Sequence, residues 1–145
     1  MTNEPEGGLI LLVEDSEADV RVTRRAFKKA GVENPVEHCA DGRRAINYLL
    51  LSKRPDGARR PSLVLLDLNL PGVDGREVLR TIKHNEAFRT IPVVILSTSD
   101  DEKDVQDCYD LGANSYLKKP HDLNGFVNAM QSLSEFWFRA AELPA

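Results

Sequence analysis

The chain has 145 residues, 41% of them hydrophobic and 29% charged, which is enough for one packed core and too few for two ordinary domains. A formal charge of -4 argues against broad affinity for nucleic acid or anionic membranes, because both demand a basic face. Apolar runs stop well short of the ~18 residues that span a bilayer, and the acidic start from Met1 to Gly8 does not read as a signal peptide, so a cytoplasmic protein is expected.

Residues 1–8 read as a flexible tail. The first predicted strand is Leu9–Glu14. Ser16 and Asp19 then stand in capping-box spacing and open a helix that ends at Gly31, with Ala18, Val22, Ala26 and Ala30 as its expected core face. A second strand is predicted over Pro35–Ala40, and the one long connection, Ser52–Pro61, carries Lys53, Arg54, Arg59 and Arg60. Strands follow at Ser62–Asp67 and Val93–Leu96. Ser99 and Glu102 form another box, opening a helix that stops at Gly112 and turns Val105, Cys108 and Tyr109 inward. The fifth strand is Ser115–Lys118. The last helix carries Leu123, Phe126, Val127, Met130, Leu133 and Trp137 at spacings of three and four, the pattern of a core stripe. Residues 139–145 read as a short tail with no effector domain after it. Cys39 and Cys108 lie in apolar-patterned segments and read as reduced, buried thiols, while His38, His84 and His121 lack metal-ligand spacing.

Short aliphatic runs such as LILLV, LVLL and VVIL suit central parallel strands covered on both faces. Five strand-helix units joined by right-handed crossovers predict an α/β fold: a doubly wound, flavodoxin-like three-layer sandwich with strand order 2-1-3-4-5.

Ligands in such a sheet bind beyond the carboxyl ends of the strands, where the winding direction reverses. Glu14 and Asp15 follow the first strand, Asp67 ends the third, Ser97 follows the fourth and Lys119 the fifth, so all emerge on one edge. Two like charges ~4 Å apart repel by ~1 kcal/mol in water and ~4 kcal/mol at an effective dielectric of about 20, so three converging carboxylates want a proton or a cation. Oxygen-only donors select a hard ion, and direct carboxylates with room for waters and phosphate suit Mg²⁺. Asp67 then reads as a nucleophile that forms an acyl phosphate, with Lys119 and the Ser97 hydroxyl as donors to phosphoryl oxygens.

Taken together, Glu14-Asp15, the run from Leu66 through Asp67, Asn69, Pro71 and Gly72 to Gly75, Ser97, Tyr116 and Lys119-Pro120 resemble the receiver domain of bacterial two-component response regulators, over 9–138. The resemblance implies that Asp67 is the phosphoacceptor and Asp15 a direct Mg²⁺ ligand. It also implies that Glu14 acts on the ion mainly through water and that Asn69 offers its backbone carbonyl. Lys119 would pair with the phosphoryl group beside a cis peptide to Pro120. Ser97 and Tyr116 would form a coupled switch that remodels the face made by helix four, strand five and helix five. The chain departs from the usual pattern at Glu14, where Asp is commoner, at Ser97, which lacks the methyl of Thr, and at Thr98, which replaces a smaller residue.

The basic loop and the DGREVLRTIK stretch further resemble the single-domain regulators associated with bacterial phytochrome kinases. That likeness implies a light-sensing histidine kinase as donor; the alternative for the four loop cations is a solvated surface. Phe136, Trp137 and Phe138 cannot all face one core from a helix, because successive residues sit about 100° apart. At least one therefore either covers the sheet end or serves a homodimer contact through helix five, with Phe138 as the residue to truncate. A Mg²⁺-dependent aspartyl-phosphate phosphohydrolase is the enzyme alternative, but such enzymes carry a second Asp where this chain has Asn69. An inert receiver-like scaffold would usually lack Asp67 or Lys119, and a flavin site would not tolerate the anionic Glu14-Asp15-Ser16-Glu17 loop.

Overall fold

A computed structural model describes residues 7–144. Most of the expected tail over 1–8, and residue 145, lie outside the described residues.

Five parallel strands, β1 (Ile10–Val13), β2 (Val36–Cys39), β3 (Leu63–Leu66), β4 (Val93–Ser97) and β5 (Ser115–Lys118), form one sheet in the order β2-β1-β3-β4-β5. They alternate with α1 (Glu17–Lys29), α2 (Gly42–Ser52), α3 (Gly75–Lys83), α4 (Glu102–Asp110) and α5 (Leu123–Ser134). This is the doubly wound flavodoxin-like architecture expected. β1 and β3 end with their apolar runs, at Val13 and Leu66, and β5 ends at Lys118, so Glu14, Asp67 and Lys119 lie just past strand ends, where the backbone is free to turn their side chains into a common crevice.

Alternation along the central strands divides the core into two layers. Leu11, Val13, Val64, Leu66, Val93 and Ile95 face α2 and α3, joined by Leu49, Val78, Leu79 and Ile82. Ile10, Leu12, Leu63, Leu65, Val94 and Leu96 face α1 and α5, joined by Phe27, Phe126 and Met130. Register is parallel throughout, with Val13 beside both Cys39 and Leu66, which brings the ends of β1 and β3 level.

Ser16 caps α1 as expected, its hydroxyl accepting from the Asp19 N–H at 3.2 Å, and Gly31 follows the helix with φ +75°. The buried face differs from the expected one: Val20, Thr23, Ala26 and Phe27 are buried, whereas Ala18 is exposed and Val22 and Ala30 are only half-buried. Two helical phases share Ala26, and the one that buries the larger Val20 and Phe27 removes more apolar area from water. In α4 the cap is Asp101, not Ser99, and Asp101 accepts from the Lys103 N–H. Ser99 instead donates to Asp104 at 2.6 Å and accepts from the Asp101 N–H. Cys108 is buried as expected, Val105 is half-buried, and Tyr109 is 46% exposed. A helix of 9 residues lying over the sheet edge has only a narrow stripe to bury.

The α5 stripe is as expected, with Phe126, Met130 and Leu133 buried. Beyond it, Glu135–Ala140 widens into a π-helical segment closed by Ala141 N–H donating to the Phe136 carbonyl at 2.8 Å. The wider turn places Trp137 and Phe138 against the inner layer and leaves Phe136 56% exposed, so the outward aromatic is Phe136 and not Phe138.

The basic loop is not simply solvated. Arg59 donates to the Gly7 carbonyl at 2.9 Å, Arg60 to the Ala87 carbonyl and to the Thr90 hydroxyl, and Lys53 lies 5.8 Å over the Phe88 ring. Three of its four cations therefore staple the loop across the sheet end, and Arg54 is exposed. Cys39 and Cys108 are both free and buried. No helix among the described residues is long and apolar enough to cross a membrane.

Candidate functional site

Strands β1 and β3 are neighbours, and the helices that follow them leave on opposite faces of the sheet, so a crevice opens between their carboxyl ends. Glu14, Asp15 and Asp67 meet there: one carboxylate oxygen from each lies within 4.8 Å of the others. Glu14 and Asp67 are buried and Asp15 is exposed, so the cluster has a dry base and an open mouth.

The local backbone holds these groups in place. The Glu14 carboxylate accepts from the Ser16 N–H at 3.2 Å, and its carbonyl lies 2.7 Å from His38 Nε2. Asp67 accepts from the Asn69 N–H at 3.2 Å. Gly75 opens α3 directly behind Asp67: a Cβ there would sit 2.3 Å from the Asp67 carbonyl and 2.6 Å from Leu68 Cα, so only glycine permits this approach.

Lys119 arrives from the end of β5 and is 8% exposed. Its ammonium donates to Glu14 at 2.6 Å, to Asp19 at 2.7 Å and to Asp67 at 3.3 Å, matching its three N–H groups with three carboxylates. Burial alone would lower its pKa, but the hydrogen bonds to Asp19 and Glu14 and the charge of Asp67 hold it above the ordinary ammonium value. Burial pushes the Glu14 carboxyl up to about 7; the Lys119 bond opposes this and neighbouring Asp67 adds to it.

Asp19 is the site residue that sequence reasoning missed. Its spacing from Ser16 marks a helix start, and nothing in that pattern says that its carboxylate crosses to the far end of the chain. The available signal was α1's direction: a first-turn acid on a helix that starts at the crevice is within reach of it.

Ser97 is fully buried at the last position of β4, and its hydroxyl accepts from the Ser99 N–H at 3.2 Å. Tyr116 is half-buried, and its hydroxyl donates to the Ser99 carbonyl at 2.8 Å. One peptide segment thus bridges the two residues expected to act as a switch. The expected cis bond between Lys119 and Pro120 is not found; no cis peptide occurs among the described residues. Trans is the lower-energy isomer by about 0.5–1 kcal/mol for such bonds, and Lys119 reaches its carboxylates from it.

Four carboxylates (Glu14, Asp15, Asp19 and Asp67) face a single ammonium, so the crevice carries excess negative charge even with Glu14 protonated. An oxygen-only donor set with an open side and a charge deficit fits a hard divalent cation.

The sequence from 10 to 131 matches the family model of the response regulator receiver domain. Response regulator Rcp1 of Synechocystis sp. is 41% identical over 144 residues, covering 99% of this chain and 97% of that protein. Among solved structures, the phosphorylated cyanobacterial phytochrome response regulator RcpA superposes with a TM-score of 0.88 at 41% identity, covering 97% of this chain and 100% of that one. The Mn²⁺-bound form of Rcp1 superposes with a TM-score of 0.84 at 40% identity, over 96% and 100% of the two chains.

Proposed function

Because the chain belongs to the response regulator receiver family and is a phosphoacceptor signalling protein, we propose that Asp67 is the residue that takes the phosphoryl group, from a phosphohistidine of a sensor histidine kinase. The observation that carries this is the placing of Asp67 at the base of the acidic crevice, hydrogen-bonded to Lys119 and beside Glu14 and Asp15.

Glu14, Asp15 and Asp67 would hold Mg²⁺ together with the Asn69 carbonyl; the donor chemistry supports that ion, and a homologue takes Mn²⁺. When bound, the cation supplies charge neutralisation on the oxygens of the transferring group. An Asp67 carboxylate oxygen forms the new bond to phosphorus as the donor's P–N bond breaks, and the departing electron pair goes to the imidazole nitrogen. Lys119 donates to one phosphoryl oxygen and the Ser97 hydroxyl to another. Drawing Ser97 toward the phosphoryl group loosens its hold on Ser99, and the Tyr116 hydroxyl, bonded to Ser99, follows. The surface of α4, β5 and α5 changes as a result. Absence of an Asp at position 69 disfavours the phosphohydrolase reading, and the intact Asp67 and Lys119 disfavour an inert scaffold.

The likeness to phytochrome response regulators supports a bacteriophytochrome kinase as donor. We take 9–138 as the receiver unit and the cytoplasm as its setting, which suits two free thiols. Self-association through the α4-β5-α5 face is supported by exposed Phe136, which lines a groove of about 520 Å³ with Leu117, Ala129, Leu133 and Trp137.

Incubation with acetyl phosphate and Mg²⁺ tests the site. Intact mass should rise by one phosphoryl group, EDTA should suppress the gain, and Asp67→Asn should abolish it. An undiminished gain in Asp67→Asn would refute the assignment.

A further inference from the structure

Three of the four crevice carboxylates converge closely enough to share one cation, and Asp19 is not among them. It stands in the first turn of α1, on a different element from the strand-end residues, with its side chain 37% exposed. Its backbone N–H is already satisfied by Ser16, and its carboxylate reaches 100 residues along the chain to Lys119. The bond to Asp19, at 2.7 Å, is shorter than the bond to Asp67, at 3.3 Å. The ammonium therefore sits between Glu14, at 2.6 Å, and Asp19, and lies farther from Asp67.

A cation entering the crevice needs Glu14 and Asp67, which are the other two partners of Lys119. Ammonium and divalent ion thus compete for the same oxygens. The geometry points to Asp19 as a positioning residue that holds the Lys119 ammonium aside, so that a divalent cation can take the acidic triad while the lysine remains charged, buried and within reach of Asp67. Without Asp19 the ammonium has only Glu14 and Asp67 to satisfy it, and it closes over the cation's place. Loss of the carboxylate also removes one unit of negative charge nearby, so both effects weaken cation binding.

This inference rests on the metal-assisted reading of the crevice, and the two can fail separately. Isothermal titration with Mg²⁺ alone, without a phosphodonor, compares wild type with Asp19→Asn, Asp19→Ser and Glu17→Gln. Glu17 is an exposed first-turn acid of α1 and controls for the change in net charge. Both Asp19 variants should raise the Kd about fivefold or more, Asp19→Glu should restore most of the affinity, and Glu17→Gln should stay within about twofold of wild type. In a Lys119→Gln background the Asp19→Asn effect should shrink to the part due to lost charge alone, because there is no ammonium left to hold. A uniform effect of Asp19→Asn in both backgrounds, or an effect no larger than that of Glu17→Gln, overturns the role of Asp19. Wild-type protein that takes up no Mg²⁺ overturns the metal reading itself.

Discussion

Lys119 and Glu14 illustrate how a buried site sets the protonation of its members. Lys119 has a carboxylate for each of its three protons, whereas Glu14 loses water on burial and gains only part of a lysine in return. The folded carboxyl of Glu14 titrates at about 7 instead of 4.5, so the metal-free folded state binds this proton more tightly than the unfolded chain does. Its contribution to stability is complete below pH 4.5, falls through the interval up to about 7 and is gone above it. Wild type should accordingly lose stability relative to Glu14→Gln as pH rises from 5 to 7, with a slope of at most about 1.4 kcal/mol per pH unit. Urea unfolding at several pH values measures the difference. Saturating Mg²⁺ should oppose the trend, because the ion favours the ionised carboxylate.

At the scale of elements, the crevice depends on how closely α3 approaches the end of β3. Gly75 N–H donates to the Leu68 carbonyl at 3.0 Å, tying the helix start to the segment that carries Asp67. Gly75→Ala would press a methyl group into backbone that cannot yield as a side chain does. The expected result is a loss of about 1–3 kcal/mol in unfolding free energy, with slower phosphorylation from acetyl phosphate because Asp67 is displaced. The start of α4 makes a second such connection: Ser99 receives Tyr116 at its carbonyl, donates to Asp104 from its hydroxyl and presents its N–H to Ser97. Tyr116→Phe removes the first of these bonds, leaves the ring packing intact and should uncouple the α4 end from the site. The expected outcome is near-normal phosphorylation of Asp67 with a reduced phosphorylation-dependent change in amide exchange over α4, measured by mass spectrometry.

Across the molecule, the two core layers leave the last turn of the chain with unequal tasks. Trp137 and Phe138 complete the layer under α1 and α5, and Phe136 projects beside the β5 edge. Phe138→Ala should cost roughly 1–2 kcal/mol of stability, less than a fully buried Phe. Phe136→Ala should change stability by no more than about 0.5 kcal/mol and should weaken the proposed self-association of the phosphorylated protein in sedimentation velocity. An unchanged sedimentation profile for Phe136→Ala would remove the aromatic from any dimer contact.

Apolar periodicity and turn residues were sufficient to determine the five-unit α/β order and the doubly wound sheet, because strands buried on both faces and helices with one apolar stripe leave distinct local patterns. The crevice residues Glu14, Asp15, Asp67 and Lys119 were legible for the same reason: each follows a recognisable strand, and the topology directs all strand ends to one edge. The reach of Asp19, the phase of α1 and the outward turn of Phe136 were decided only by tertiary structure. Each depends on which of several locally equivalent choices meets a distant partner: an ammonium 100 residues away, the underside of a sheet, or the wider turn that closes the chain. Local sequence ranks such choices nearly equally, and the packing of the whole molecule separates them.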